Sequence, residues 1–183
     1  MGIIHVLDER VANQIAAGEV IERPVSAVKE LVENAIDAGA CTIRVEVMQG
    51  GVDLIRLTDD GSGIEKDDMP LAVKRHATSK IEHFNDVYKL HTFGFRGEAL
   101  ASIAAISRLK ITSGQDETTP ANVLTKEPNA APSYSVAAPH KGTIIEVRDL
   151  YYNVPARKKF VKSNNHESAL IYDFVCKMAM GRP

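Results

Sequence analysis

From Pro24 to Ala38 the apolar residues Val28, Leu31, Val32, Ala35 and Ile36 share one stripe of a 3.6-residue wheel, with Glu30, Glu33, Asn34 and Asp37 opposite. That pattern predicts an amphipathic helix entered through Pro24 and stopped by Gly39 in a left-handed conformation. A solvated surface is the commoner cause of such a polar face, so the helix by itself does not announce a site. An earlier helical pattern starts after Asp8, a candidate cap, and runs through Ile15, where Ala16-Ala17-Gly18 is expected to break it. Met1 to Leu7 reads as an arm or an edge strand. The period changes to two at Cys41–Val47, then Gly50-Gly51 turns the chain into a second strand from Val52 to Thr58, which makes a hairpin.

Further on, helices are expected at Asp67–His76, at Glu98 to about Ser107, and at about His166 to Met180, where Ile171, Phe174, Val175 and Met178 share a side. Strands are expected at Leu109–Thr112 and Thr143–Val147. Gly114 to Lys141 holds four of the eight prolines among many Thr, Asn and Ala, and reads as a mobile loop with at most two weak strands near Val123 and Tyr134. Helices interleaved with hairpin-linked strands imply an α+β fold, a two-layer α/β sandwich whose mixed, mainly antiparallel sheet is covered by helices.

Composition narrows this picture. The chain has 183 residues, 44% hydrophobic and 25% charged, enough for one core, so residues 1–183 are expected to form a single domain. No run of eighteen apolar residues and no signal-peptide pattern is present, which points to a soluble, non-secreted protein. Cys41 and Cys176 have no metal-ligand spacing and read as reduced, packed thiols. With a net charge of −2, any contact with nucleic acid needs a local basic patch. Arg157, Lys158, Lys159 and Lys162 are the candidates for DNA phosphates, against a solvated helix start as the plainer reading.

Several chemistries lack their motifs: no Walker loop, HExxH pair, paired CxxC or G-x-S-x-G elbow occurs. His76 reads as a hydrogen-bonded structural histidine. Two glycine loops and the acidic helix remain. Asp59-Asp60-Gly61-Ser62-Gly63 ends a strand with glycines that let a ligand approach backbone, although alone a tight loop with a capping aspartate is the commoner explanation. Gly94-Phe95-Arg96-Gly97 precedes a helix whose free amides, with an arginine, suit a phosphate; Glu98 in that first turn would also complement the dipole without a ligand. Together these pieces describe one site. Glu30 is placed to deprotonate a water, Asn34 one turn on to hold Mg2+ against phosphate oxygens, and Asp59 to accept from an exocyclic amine.

E-x-x-x-N-x-x-D-A at Glu30, Asn34, Asp37 and Ala38, D-x-G-x-G at Asp59, Gly61 and Gly63, G-F-R-G-E-A-L from Gly94 to Leu100, and Gly142-Thr143 resemble, in order and spacing, the four ATP-binding motifs of the GHKL ATPases. Asn13 to Pro24, Arg75 to Lys80 and Tyr152 to Arg157 are similar to segments of the MutL family of DNA mismatch repair proteins. Only Gly114 to Lys141 does not align. The resemblance implies the GHKL (Bergerat) sandwich, ATP and Mg2+ as cofactors, Glu30 as catalytic base and Asn34 as the magnesium ligand. It implies that Asp59 recognises the adenine amino group, with Gly61, Gly63, Leu71 and Thr143 around the base. Thr78, Ser79 and Lys80, with Gly94, Phe95, Arg96, Gly97, Glu98, Ala99 and Leu100, would form a lid over the phosphates.

In that family ATP closes the lid, orders the N-terminal arm, here Met1 to about Val20, and dimerises two N-terminal domains. The bound state couples a MutS-like mismatch-recognition protein to a downstream nuclease and helicase, with weak, sequence-independent DNA contact. A cytoplasmic, nucleoid-associated place follows for a bacterial chain, a nuclear one for a eukaryotic chain. Family members are much longer and draw a lysine from a second domain, so this sequence reads as a fragment expected to bind nucleotide weakly and turn it over very slowly. The alternatives are a histidine-kinase-type or topoisomerase-type GHKL domain; both leave the Gly18–Pro24 and Tyr152–Arg157 segments unexplained. Of the helix's acidic residues, Glu33 has no role in this reading and is expected to be surface.

Overall fold

The computed structural model describes residues 3, 5–78 and 97–181. Among them the helices are α1 (Glu9–Val20), α2 (Pro24–Asp37), α3 (Met69–Ala72), α4 (Ala99–Ile106), α5 (Pro155–Lys158) and α6 (Asn164–Gly181). The strands are β1 (Ile43–Met48), β2 (Leu54–Asp59), β3 (Arg108–Gly114), β4 (Ala121–Lys126), β5 (Ser133–Ala137) and β6 (Gly142–Arg148). They form one sheet in the order β1-β2-β6-β3-β4-β5. Every pairing is antiparallel.

Register explains why the sheet has one wet and one dry face. Directly paired residues of antiparallel strands point the same way, so each register row is a stripe across the sheet. Leu57, Ile145, Ile111 and Leu124 form one row, and Ile55, Val147 and Leu109 the next. All seven are buried beneath the helices. The alternate positions Glu46, Arg56, Glu146 and Lys110 carry charge on the other face. Arg56 Nη2 lies 2.7 Å from Glu146 and Nη1 3.7 Å from Glu46. This is the alternation expected of an antiparallel sheet covered on one side.

Helix α2 supplies Ala27, Val28, Leu31, Val32 and Ala35 to the core. Burying side chains the size of Leu31 and Ile55 contributes about 1.5–3 kcal/mol each. Gly39 takes φ +74 after the helix, as the stop requires.

Two elements depart from expectation. Helix α1 continues through Gly18 to Val20, because Ala17 is fully buried and Gly18 lies under the Arg157 guanidinium, 3.4 Å from where a Cβ would sit; packing outweighs the cost of one helical glycine. The helix expected over Asp67–His76 contracts to the single turn of α3, after which His76 adopts φ +60 with its side chain exposed rather than structural. The two weak strands expected near Val123 and Tyr134 within Gly114–Lys141 form as β4 and β5, with Ala121, Val123 and Leu124 buried. The opening segment shows no strand among its described residues, where Ile3 and Val6 are almost fully exposed. Cys41 is exposed and Cys176 half-buried; both are free thiols.

The segments on which the family resemblance partly rests meet in space. Tyr151, fully buried at φ +67, donates its hydroxyl to the Ile21 carbonyl at 3.0 Å. Its own amide donates to Ile106 at the end of α4, and Asn153 Nδ2 donates to the Ala105 carbonyl. Arg23, immediately before Pro24, donates to the buried Glu167 of α6 at 2.6 Å. These contacts fix the N-terminal end of α2 against α4 and α6.

Candidate functional site

One register row further along the dry face, apolar side chains stop. Asp59, Thr143, Ser113 and Asn122 pair in succession across β2, β6, β3 and β4, continuing the stripe of core positions with polar groups. Asp59, Thr143 and Ser113 are buried. Asp59 Oδ1 accepts from the Gly61 amide at 2.9 Å, and the Thr143 amide also donates to that carboxylate. Burial is nevertheless the largest influence and pushes the Asp59 carboxyl above the ordinary aspartate range, with Asp60 adding repulsion and the two amides and His140 opposing. A buried acceptor held at a cost in this way makes Asp59 a candidate functional position.

The backbone around Asp59 leaves no room for side chains. At Gly142, φ is +97 and a Cβ would lie 2.0 Å from the Asp59 carbonyl oxygen; at Gly63, φ is +72 and a Cβ would lie 2.3 Å from the Gly114 carbonyl. The Ser62 amide donates to the Ala38 carbonyl at 3.0 Å, which seats the loop on the C-terminal end of α2. Asp60 does different work from its neighbour. Its Oδ1 accepts the Cys41 and Thr42 amides at 2.7 and 2.8 Å, tying the turn after α2 to the loop, and those bonds, Thr42 foremost, hold its pKa below the usual value.

On α2, Glu30, Glu33, Asn34 and Asp37 are all only partly exposed, so the polar face is not a solvated surface. Glu30 has no hydrogen-bond or ion-pair partner among the described residues, whereas Asn34 and Asp37 are engaged. The Glu33 side chain retains 12% exposure and faces Lys29 at 3.9 Å, which corrects the expectation that it is surface. Helix α2 also packs against α4.

At the start of α4, Gly97 takes φ +61, and a Cβ there would lie 2.4 Å from the Ala77 carbonyl. Glu98 Oε1 is 3.4 Å from His76 Nδ1, so His76 and Ala77 adjoin Gly97 and Glu98. Leu71 on α3 is 46% exposed. Ser79, Lys80, Gly94, Phe95 and Arg96 lie outside the described residues. Among the described residues no cluster of three His, Cys, Asp or Glu side chains could cage a metal. Asn34 as an amide donor suits a magnesium ion that takes most of its oxygens from phosphate and water. In the basic cluster, Lys158, Lys159 and Lys162 are exposed beside the exposed Phe160, while Arg157 is half-buried against Gly18.

A sheet whose dry face ends in a buried aspartate between glycine loops, under a helix carrying a glutamate and an asparagine one turn apart, has the architecture of the nucleotide-binding ATPase sandwiches. The family model described as histidine kinase-, DNA gyrase B-, and HSP90-like ATPase matches residues 22–148, and the chain belongs to that family. Within it, the chain is similar to the DNA mismatch repair protein MutL. It is 51% identical over 180 residues to MutL of Clostridium beijerinckii, covering 98% of this chain and 27% of the relative. It is 52% identical over 183 residues to MutL of Dictyoglomus turgidum, covering all of this chain and 32% of the relative. The chain thus spans about a third or less of these relatives. Among solved structures, the Aquifex aeolicus MutL ATPase domain complexed with ADP aligns with a TM-score of 0.64 at 31% identity, over 87% of this chain and 56% of that one.

Proposed function

We propose that this chain is the ATP-binding, slowly ATP-hydrolysing module of a MutL-like mismatch repair protein. The observation that carries the reading is Asp59: a buried carboxylate raised in pKa, bonded on its backbone side by Gly61 and Thr143, with glycine at each close approach around it. That arrangement suits acceptance of the adenine amino group, with Gly61, Gly63, Thr143 and Leu71 about the ring. Free amides at the start of α4, from Gly97 to Leu100, suit phosphate oxygens. Magnesium, held through Asn34, would neutralise charge on those oxygens. Glu30, one turn away and without a partner among the described residues, would orient the attacking water and take its proton.

In the same reading, ATP draws residues 78–100 over the phosphates and orders residues 1–20, so that two copies associate. That state signals from a MutS-like partner to a nuclease and a helicase in the longer protein, with weak DNA contact through Lys158, Lys159 and Lys162. Turnover by this chain alone is slow, because the family's second domain supplies a lysine to the terminal phosphate.

The division of labour within α2 is testable. Glu30→Ala is expected to keep the affinity of the wild type for a non-hydrolysable ATP analogue within about twofold while lowering single-turnover hydrolysis by about a hundredfold or more. Hydrolysis that survives the substitution removes Glu30 from the chemistry.

A further inference from the structure

Asn13 and Arg75 belong to segments that the nucleotide reading leaves without a role, and the fold brings the two together. Arg75 Nη1 donates to Asn13 Oδ1 at 2.6 Å, and Nη2 to the Asn13 carbonyl at 3.4 Å. Both acceptors are neutral, so nothing among the described residues compensates the guanidinium charge. Arg75 lines a cavity of about 260 Å³ between α1, α4 and the turn that joins β4 to β5. Ala101, Ala104 and Ala105, on one face of α4, and Val73 give this cavity an apolar side. Lys126 joins Arg75 on the polar side, its ammonium held by the Glu127 and Ala130 carbonyls, and no carboxylate belongs to the lining among the described residues. Two cations thus share one small cavity with neutral partners only. The place is distinct from the nucleotide row, since Lys126 lies about 13 Å along β4 from Asn122, where that row ends on β4.

We propose that this cavity is a binding site for a small organic anion, a carboxylate on an apolar body of about ten non-hydrogen atoms, with Arg75 and Lys126 at its charged end and the α4 alanines at its apolar end. An arginine fork carries five N–H donors in one plane. Asn13 takes two of those in Arg75, and the others have no partner among the described residues, which leaves donors in the geometry that matches the two oxygens of a carboxylate. Like charges at one cavity repel, and a single anion between them replaces repulsion with attraction to both. The volume falls just below the range of sites for drug-sized molecules, which limits the ligand to one ring or a short chain. Neither the cations nor the cavity depends on where ATP binds, so this site stands or falls apart from the proposed nucleotide function.

Benzoate and its neutral amide, benzamide, are the probes, each titrated into isotope-labelled protein and followed by backbone amide chemical shifts. Benzoate is expected to shift the lining amides of α1, α4 and the turn after β4 saturably in the millimolar range, with benzamide bound about tenfold or more weakly. Lys126→Gln, which leaves the bond between Asn13 and Arg75 in place, and Arg75→Gln are each expected to weaken benzoate about fivefold or more and benzamide by less than about twofold. Ala105→Leu keeps both charges and fills the cavity, so it is expected to weaken both probes about tenfold or more. Benzoate shifts that never saturate, that match those of benzamide, or that fall instead at Gly97 to Leu100, where free helix amides also suit an anion, would overturn the proposal. Benzoate affinity unchanged in both charge variants would overturn it as well.

Discussion

Asp59 and Glu167 are both buried carboxylates, and the protein moves them in opposite directions. For Glu167, burial pushes upward, but the Arg23 guanidinium and the Lys162 amide outweigh it and the pKa falls below the ordinary 4.5. A depressed carboxyl contributes stability that is complete above its unfolded value and is lost as pH falls through the lower folded value. Glu167→Gln is therefore expected to lower stability by about 1–2 kcal/mol at pH 7, at the low end because Arg23 is partly open. In urea melts, that gap should stay constant above about pH 5 and shrink as pH falls below about 4.5; a gap independent of pH down to 3 would contradict the assignment. Asp59 has the reverse sign. Its raised pKa gives stability that is present below 3.8 and is lost as pH rises through the folded value, so its ionised form costs the apo protein stability at neutral pH. Asp59 was legible in the sequence because glycines flag its loop. Asp60 and Ser113 were not: Asp60 accepts amides from Cys41 and Thr42, far back along the chain, and Ser113 meets Thr143 only through a pairing of β3 with β6 that local sequence does not encode.

Among the elements, α2 was read almost to the residue, since its stripe, Pro24 and Gly39 all act locally. What the wheel could not show was the other face. A polar stripe looks the same whether water or a site covers it, and only the packing of α2 on α4 and on the Gly61 loop separates the two. Helix α1 was cut short for the complementary reason: Gly18 disfavours helix locally, and the Arg157 contact that justifies it comes from far along the chain. Glycine at position 142 gives an element-scale prediction. With φ at +97 and a Cβ falling 2.0 Å from the Asp59 carbonyl, Gly142→Ala must move β6 away from β2 at the site. It is expected to cost about 2 kcal/mol or more in denaturant unfolding and to weaken nucleotide binding beyond what Gly39→Ala does, where a Cβ meets nothing. Equal effects of the two substitutions would show that the close approach at Gly142 is not real. Tyr151→Phe removes the hydroxyl bond to Ile21 and is expected to cost about 1 kcal/mol without changing nucleotide affinity.

At the scale of the molecule, helix-covered antiparallel architecture followed from the alternation of periods, but strand order did not. Strand β6 sits between β2 and β3, and only this long-range pairing brings Thr143 beside Asp59. The weak local signals near Val123 and Tyr134 become β4 and β5, with β4 in register with β3 and β5 with β4. The site is thus a property of the whole sheet: two apolar rows hold the sandwich together, and the third row, still on the dry face, is polar. That account makes Asp59 the point on which base recognition depends. Calorimetric titration of the wild type and Asp59→Asn with a non-hydrolysable ATP analogue and Mg2+ tests it most directly. Saturable binding by the wild type, with a loss of about a hundredfold or more in Asp59→Asn at an unchanged fold by circular dichroism, is the predicted result. Equal affinity in the two proteins would contradict it.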